Sequence, residues 1–231
     1  MTKILFVVTG ATHLTLADGI QHPTGFWAEE VVAPYNAFTS AGHTVVVATP
    51  GGVIPAVDQE SLSPELNGGQ ENADKITAAL AAITELTKPV DLDSVRLDDY
   101  VAVFYPGGHG PMEDLADSGP SAELLQATLT SGKPLGVVCH GAAALLGARD
   151  AEGAWLFAGY RITGFTRAEE TQTGLADKVK WVLQDRLVES GAVFEETAPW
   201  APHVVVDRTV ITGQNPASSA PLAAEMLKAL G

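Results

Sequence analysis

Short continuous apolar runs alternate with amphipathic stretches along almost the whole chain. Residues 4–9 and 44–49 are apolar or β-branched throughout, the pattern of strands covered on both faces of a parallel sheet. Residues 27–41 between them read as a helix ended by Gly42, with Pro34 expected to kink or distort it. Residues 100–105 form a third buried strand that runs into Pro106-Gly107-Gly108-His109-Gly110. A helix over 121–131 and a turn at Gly132-Lys133-Pro134 lead to the strand Leu135-Gly136-Val137-Val138. Beyond it the pattern predicts a strand over 160–164, helical residues from Arg167 and a long helix over 177–190. A hairpin around Asp207-Arg208 joins 203–207 to 209–211, and a last helix covers 216–230. Residues 51–71 are rich in Pro, Gly, Asn and Asp and read as a long loop, a length more often functional than idle in a compact domain. Such alternation predicts an α/β sandwich with a mostly parallel sheet. Ligands then bind beyond the carboxyl ends of strands, here Thr9-Gly10, the 106–110 loop and Cys139-His140-Gly141.

Cys139 is the only cysteine, and it falls where the strand 135–138 gives way to the helix-forming run Ala142-Ala143-Ala144-Leu145-Leu146. A sharp bend there aims its side chain at the unpaired N–H groups of the helix, the geometry of a nucleophile elbow. Two readings stand open on these residues alone: a nucleophile, or an inert buried apolar thiol.

Composition narrows the class. With 231 residues, 46% hydrophobic and a mean hydropathy of +0.14, the chain has ample material for one sizeable core and no linker. Against 13 basic residues stand 28 acidic ones, for a net charge of −15. That balance repels nucleic acid and anionic membranes, so neither is an expected partner. A single thiol agrees with a reducing cytoplasm. The first apolar run is too short for a secretory signal, and no run reaches the roughly 20 residues of a membrane span.

The motifs together resemble the ThiJ/PfpI superfamily, a branch of class I glutamine-amidotransferase-like folds. Within it they are similar to the small heat-inducible glyoxalase III proteins, also called glutathione-independent glyoxalases or D-lactate dehydratases. The pieces are Thr24-Gly25-Phe26-Trp27-Ala28-Glu29-Glu30 with Pro34, then Gly107-Gly108-His109-Gly110 with Asp114, and then Val138-Cys139-His140-Gly141. Ile162-Thr163-Gly164-Phe165-Thr166 with Glu169-Glu170 and Ile211-Thr212-Gly213-Gln214-Asn215-Pro216 with Ser218 complete the set. Each is short; their order and spacing carry the resemblance.

The resemblance implies a flavodoxin-like three-layer α/β sandwich over 1–231, with a small cap formed by insertions, in a homodimer. It makes Cys139 the nucleophile, His140 its neighbour in a triad, Glu170 the acid that orients His140, and Glu30 a carboxyl touching the thiol. Glu169 is expected to be an ordinary solvated helix charge. Backbone N–H groups of Gly108 and His140 are the expected oxyanion donors, and His109 either lines the pocket or makes a structural hydrogen bond. A helix N-terminus and an imidazole favour thiolate while an ionised Glu30 opposes it, so the two acids are expected to share one proton. The implied reaction converts a small 2-oxoaldehyde such as methylglyoxal to D-lactate through a hemithioacetal, an enediol and a thioester. It is an internal redox change and needs no cofactor. Neither a P-loop ending nor a dinucleotide fingerprint is present.

Three rivals remain. A glutaminase or amidase shares the fold but places its His in a His-X-Glu segment near the C-terminus, whereas His203-Val204-Val205 lacks the Glu. Peptidase activity is ascribed to some relatives, yet a cap would shield the pocket from folded proteins. A holdase chaperone needs a broad apolar patch and a thiol oxidation sensor an oxidisable Cys139, whereas an enzyme needs a narrow pocket and the thiol; a protein deglycase is a further alternative activity. Histidines 13, 22, 43, 109, 140 and 203 show no tight ligand spacing, so no metal site is expected. Some larger relatives bind a metal near the pocket, and His22 could meet His109 only through the fold.

Overall fold

Residues 4–8 expose no surface because the strand they form lies inside a seven-stranded sheet. The computed structural model describes residues 2–231. In chain order its elements are β1 (Lys3–Val7), β2 (His13–Thr15), β3 (Gln21–Pro23), α1 (Ala28–Ser40), β4 (Thr44–Thr49) and α2 (Gln70–Ala81). There follow β5 (Val90–Asp91), β6 (Ala102–Tyr105), α3 (Pro111–Asp114), α4 (Gly119–Ser131) and β7 (Leu135–Val138). The rest are β8 (Arg161–Ile162), α5 (Arg167–Gln172), α6 (Leu183–Glu189), β9 (Val193–Phe194), β10 (Val204–Asp207), β11 (Val210–Gly213) and α7 (Ser219–Leu230). The central sheet has the order β10-β11-β7-β6-β1-β4-β5. Every pairing in it is parallel except the β10–β11 hairpin at one edge.

Helices flank the sheet. α1 packs on α7 and α2, while α3, α4 and α6 gather round the segment that follows β7. Phe6, Phe38 and Phe104 meet in edge-on and tilted contacts with centroids 4.8 to 6.3 Å apart, the geometry aromatic quadrupoles favour. β1, β6 and β7 are neighbours, so the three chain segments leaving their carboxyl ends converge.

Several expectations change in the fold. The helix over 27–41 is present as α1 and runs through Pro34, which has no N–H to give the carbonyl of Glu30. The chain after β7 is wound as a 3-10 helix, Cys139–Gly147, not as an α-helix. This thinner winding suits a segment buried through Leu146. At Gly141 a Cβ would come within 2.6 Å of the Tyr105 carbonyl oxygen. The long helix over 177–190 shrinks to α6. Its apolar spacing is helical, but the Lys178 carbonyl accepts the Ala17 N–H at 2.8 Å and Val182 is extended. The strand over 160–164 is the two-residue β8, which pairs with β9 in a separate small sheet. The hairpin β2–β3, the helix α2 and the strand β5 were not legible in the periodicity, and residues 50–69 carry short 3-10 turns and a single parallel bridge from Val57 to Phe26.

Candidate active site

Cys139 has φ 55°, one of three non-glycine residues among the described residues in the left-handed region, while Val138 before it is extended. An L-residue pays about 1–2 kcal/mol for this conformation, and here tight packing of the neighbouring strand ends enforces it. A Cβ on Gly107 would sit 2.8 Å from the His140 nitrogen, and one on Gly108 would sit 2.3 Å from the Gly25 carbonyl oxygen. The loop after β6 is therefore pressed against both the elbow and the start of α1.

The buried thiol lies 3.4 Å from His140 Nδ1. His140 Nε2 is 2.6 Å from Glu170 Oε2, and the other oxygen of the same carboxylate is 2.8 Å from His109 Nε2. Glu170 thus bridges two imidazoles, whose rings lie 4.1 Å apart at 37°. Phe165 covers the other side of His140, with centroids 4.5 Å apart. An ionised carboxylate only accepts, so each neutral ring turns its Nε2–H toward Glu170 and leaves Nδ1 as an acceptor. On His140 that acceptor faces the thiol. His109 is accordingly both a pocket residue and a hydrogen-bonding one.

Glu30 is fully buried. Its Oε2 accepts the Gly107 N–H at 2.6 Å, and its Oε1 has no hydrogen-bond partner among the described residues. Burial pushes this carboxyl up to about 8, against the opposing pull of the Gly107 N–H and the Cys139 thiol. Burial also raises the thiol well above its ordinary value, Glu30 raises it further, and the His140 backbone N–H works the other way. At the thiol, desolvation and Glu30 outweigh the donor from the following segment and favour the protonated sulfur. His140 is lowered by burial and then by His109, so it is available as a base near neutrality. Glu170 is raised by burial, but the hydrogen bonds from His140 and His109, joined by their positive charge whenever they are protonated, outweigh that and hold it well below the carboxylate range.

Glu169 is not a solvated charge. It is fully buried and its two oxygens accept five hydrogen bonds. Oε2 takes the Thr166 N–H at 3.0 Å and hydroxyl at 2.8 Å. Oε1 takes the Trp200 N–H at 2.8 Å, Gln214 Nε2 at 3.1 Å and Asn215 Nδ2 at 2.8 Å. The legible signal was the capping box Thr166-x-x-Glu169; the burial was not legible. Asp114 instead ties α3 to the end of β1, accepting from the Thr9 hydroxyl and the N–H groups of Gly10 and Ala11.

A cavity of about 340 Å³ opens over Cys139, walled by Trp27, Gly108, His109, Phe165 and Trp200 among others. The β2–β3 hairpin contributes His22, and the loop over 50–69 contributes Leu66. The Gly108 N–H makes no hydrogen bond among the described residues. His22 approaches His109 with ring centroids 6.5 Å apart. His109, His140 and Glu170 bring ligand-type atoms within 4.8 Å of one another, but both Nε2 atoms already point at Glu170 oxygens. A larger and shallower concavity of about 570 Å³ between Arg96 and Gln126 lies away from these groups. No helix among the described residues is long and apolar enough to cross a membrane.

The bovine glutamine amidotransferase-like class 1 domain-containing protein 1 is 33% identical over 189 residues, 81% of each chain. Its human counterpart is 36% identical over 60% of this chain and 63% of its own length. The glutathione-independent glyoxalase HSP31 of Saccharomyces cerevisiae is 28% identical over 99% of this chain and 98% of its own. The crystal structure of glyoxalase III from Candida albicans superposes with a TM-score of 0.85 at 24% identity, covering 99% of this chain and 97% of that one. The family model described as ThiJ/PfpI family-like matches residues 22–173. With the elbow, the parallel sheet and these relatives in agreement, the chain belongs to the ThiJ/PfpI family.

Proposed function

We propose that this protein is a glutathione-independent glyoxalase that converts methylglyoxal to D-lactate. The observation that carries the reading is the unbroken relay from thiol to His140 to Glu170, with the protonated carboxyl of Glu30 beside the same sulfur. Sγ attacks the aldehyde carbon while His140 Nδ1 takes the thiol proton. Negative charge develops on the aldehyde oxygen near the N–H groups of Gly108 and His140, and the imidazolium then protonates it. His140 next removes the proton on C1 as Glu30 gives its own to the C2 oxygen, which leaves an enediol. The imidazolium returns a proton to C2, and the C1 hydroxyl returns one to Glu30, forming a thioester. Water releases lactate and the thiol. The net change moves hydrogen from C1 to C2, so the step needs no external electron acceptor.

Relatives named glyoxalase 3 and glutathione-independent glyoxalase HSP31, 27% and 28% identical over nearly the full length, support the reading. His203, the residue an amidase would use, does not line the cavity. The test is D-lactate formation from methylglyoxal without added thiol. The wild-type protein is expected to turn over and a folded Cys139→Ala variant to be inactive. A strict requirement for glutathione, or turnover by Cys139→Ala, overturns the assignment.

A further inference from the structure

Trp200 takes no part in the proton relay, yet its placement is tightly specified. Its φ is 65°, in the left-handed region that a bulky side chain seldom occupies. Two hydrogen bonds hold it there: its backbone N–H to the buried Glu169 Oε1 at 2.8 Å, and its indole N–H to Gln172 Oε1 at 2.6 Å. Gln214 and Asn215 fix Glu169 from the far side. Consecutive carboxylates of α5 thus divide the work, Glu170 setting the imidazoles and Glu169 setting the indole.

Trp200 stays 43% exposed and lines the cavity. It meets Phe165 edge-on at 5.6 Å, and Phe165 in turn lies on His140 at 4.5 Å. Trp27, Leu16 and Leu175 also line the cavity. At about 30 Å³ for each water-sized group, a five-heavy-atom oxoaldehyde occupies roughly 150 Å³. That is less than half of the 340 Å³ present. On one side that space is bounded by rings that stack well on a flat apolar group, while Asp58, Glu60 and Lys178 also line the cavity.

We infer that Trp200 and Phe165 form a seat for the substituent of the aldehyde, and that the site prefers 2-oxoaldehydes bearing a planar aromatic group over methylglyoxal. This rests on the glyoxalase reading for the reaction but not for the seat. Trp200 is here a specificity-determining residue.

The test compares kcat/KM for phenylglyoxal and methylglyoxal in the wild-type protein, Trp200→Ala and Trp200→Phe. The expected wild-type preference for phenylglyoxal is about 10-fold or more. Trp200→Ala should lose about 10- to 100-fold on phenylglyoxal, mainly through KM, and no more than about threefold on methylglyoxal. Trp200→Phe should restore most of the preference. Equal losses on both substrates, or an unchanged ratio, overturn the seat while leaving the glyoxalase reading intact. Binding of mandelate, the hydroxy acid formed from phenylglyoxal, separates the two ideas. Wild-type binding that weakens at least 10-fold in Trp200→Ala, without turnover of either aldehyde, supports the seat and sinks the glyoxalase. Mandelate binding unaffected by Trp200→Ala sinks the seat.

Discussion

Glu30 Oε2 accepts the backbone N–H of Gly107 at 2.6 Å, across 77 residues of sequence, and this bond joins the acid of α1 to the loop that faces the nucleophile. It places one carboxyl oxygen in a backbone hydrogen bond while the carboxyl as a whole stays buried and is pushed up to about 8.

Activity and stability should both change with the protonation of Glu30. A carboxyl whose folded value is raised binds its proton more tightly in the native state. Its contribution is full below the unfolded value of 4.5 and is lost as pH rises through about 8. Glu30→Gln keeps a hydrogen-bond acceptor for Gly107 but has no proton to lose. Thermal melts from pH 5 to 9 should therefore show the wild type losing on the order of a few kcal/mol, and the variant losing less. The same substitution should lower kcat by about 100- to 10,000-fold and remove the fall in turnover above pH 8.

The thiol should react slowly at rest. Burial and Glu30 raise it well above its ordinary value, so alkylation by iodoacetamide at pH 7.5 should be slower than for a small free thiol and rise steeply with pH. Above pH 8, where Glu30 is ionised, Glu30→Gln removes the neighbouring charge and should speed alkylation even as it slows turnover. Peroxide has one cysteine to oxidise, and activity should fall in proportion to the mass shift at Cys139. Survival of activity after stoichiometric oxidation would exclude Cys139 as the nucleophile.

Glu170→Gln should be milder than Cys139→Ala, because it orients the base and does not bond substrate. A neutral amide offers one acceptor and one donor group to two Nε2–H groups, so one imidazole must change tautomer or turn away. We expect a kcat loss near the low end of the roughly 100- to 10,000-fold range for acid–base groups, with KM little changed. The lowered Glu170 also contributes stability that is present above its unfolded value of 4.5 and lost as pH falls through its folded value. Melts below pH 4.5 should show the variant losing less than the wild type.

Glu169→Ala tests the clasp and not the chemistry. It removes the acceptor for five hydrogen bonds and leaves the buried amide groups of Gln214 and Asn215 with only the Thr197 and Ala201 carbonyls as acceptors. The expected cost is about 3 kcal/mol or more. For a chain of this size that corresponds to a fall in Tm of about 6–12 °C. An unchanged Tm would mean that these donors find water instead.

The sheet and the elbow were legible because their signals are local. A parallel strand buried on both faces has to be apolar at successive positions, and residues 4–7 and 135–138 are. Capping and turn residues announce themselves within three or four positions, as Thr166 and Glu169 do. The extent of α6 was not legible. Leu175, Val179, Val182, Leu183 and Leu187 repeat as a helix would, but the Lys178 carbonyl is bonded to Ala17, more than 150 residues earlier. The hairpin β2–β3 escaped for a related reason: three-residue strands carry too few positions to show a period.

The amino-acid order by itself determined the alternation of strands and helices, the glycine-lined strand ends, and the presence of one thiol next to an imidazole. Tertiary structure alone decided the charge states and the walls of the pocket. Whether Glu30 holds a proton depends on how much water the fold removes, and whether Glu169 faces solvent depends on donors 31 to 46 residues away. Burial and long-range hydrogen bonding have no local period, so the acidic pair Glu169-Glu170 reads as one surface feature until the packing assigns one carboxylate to the imidazoles and the other to Trp200.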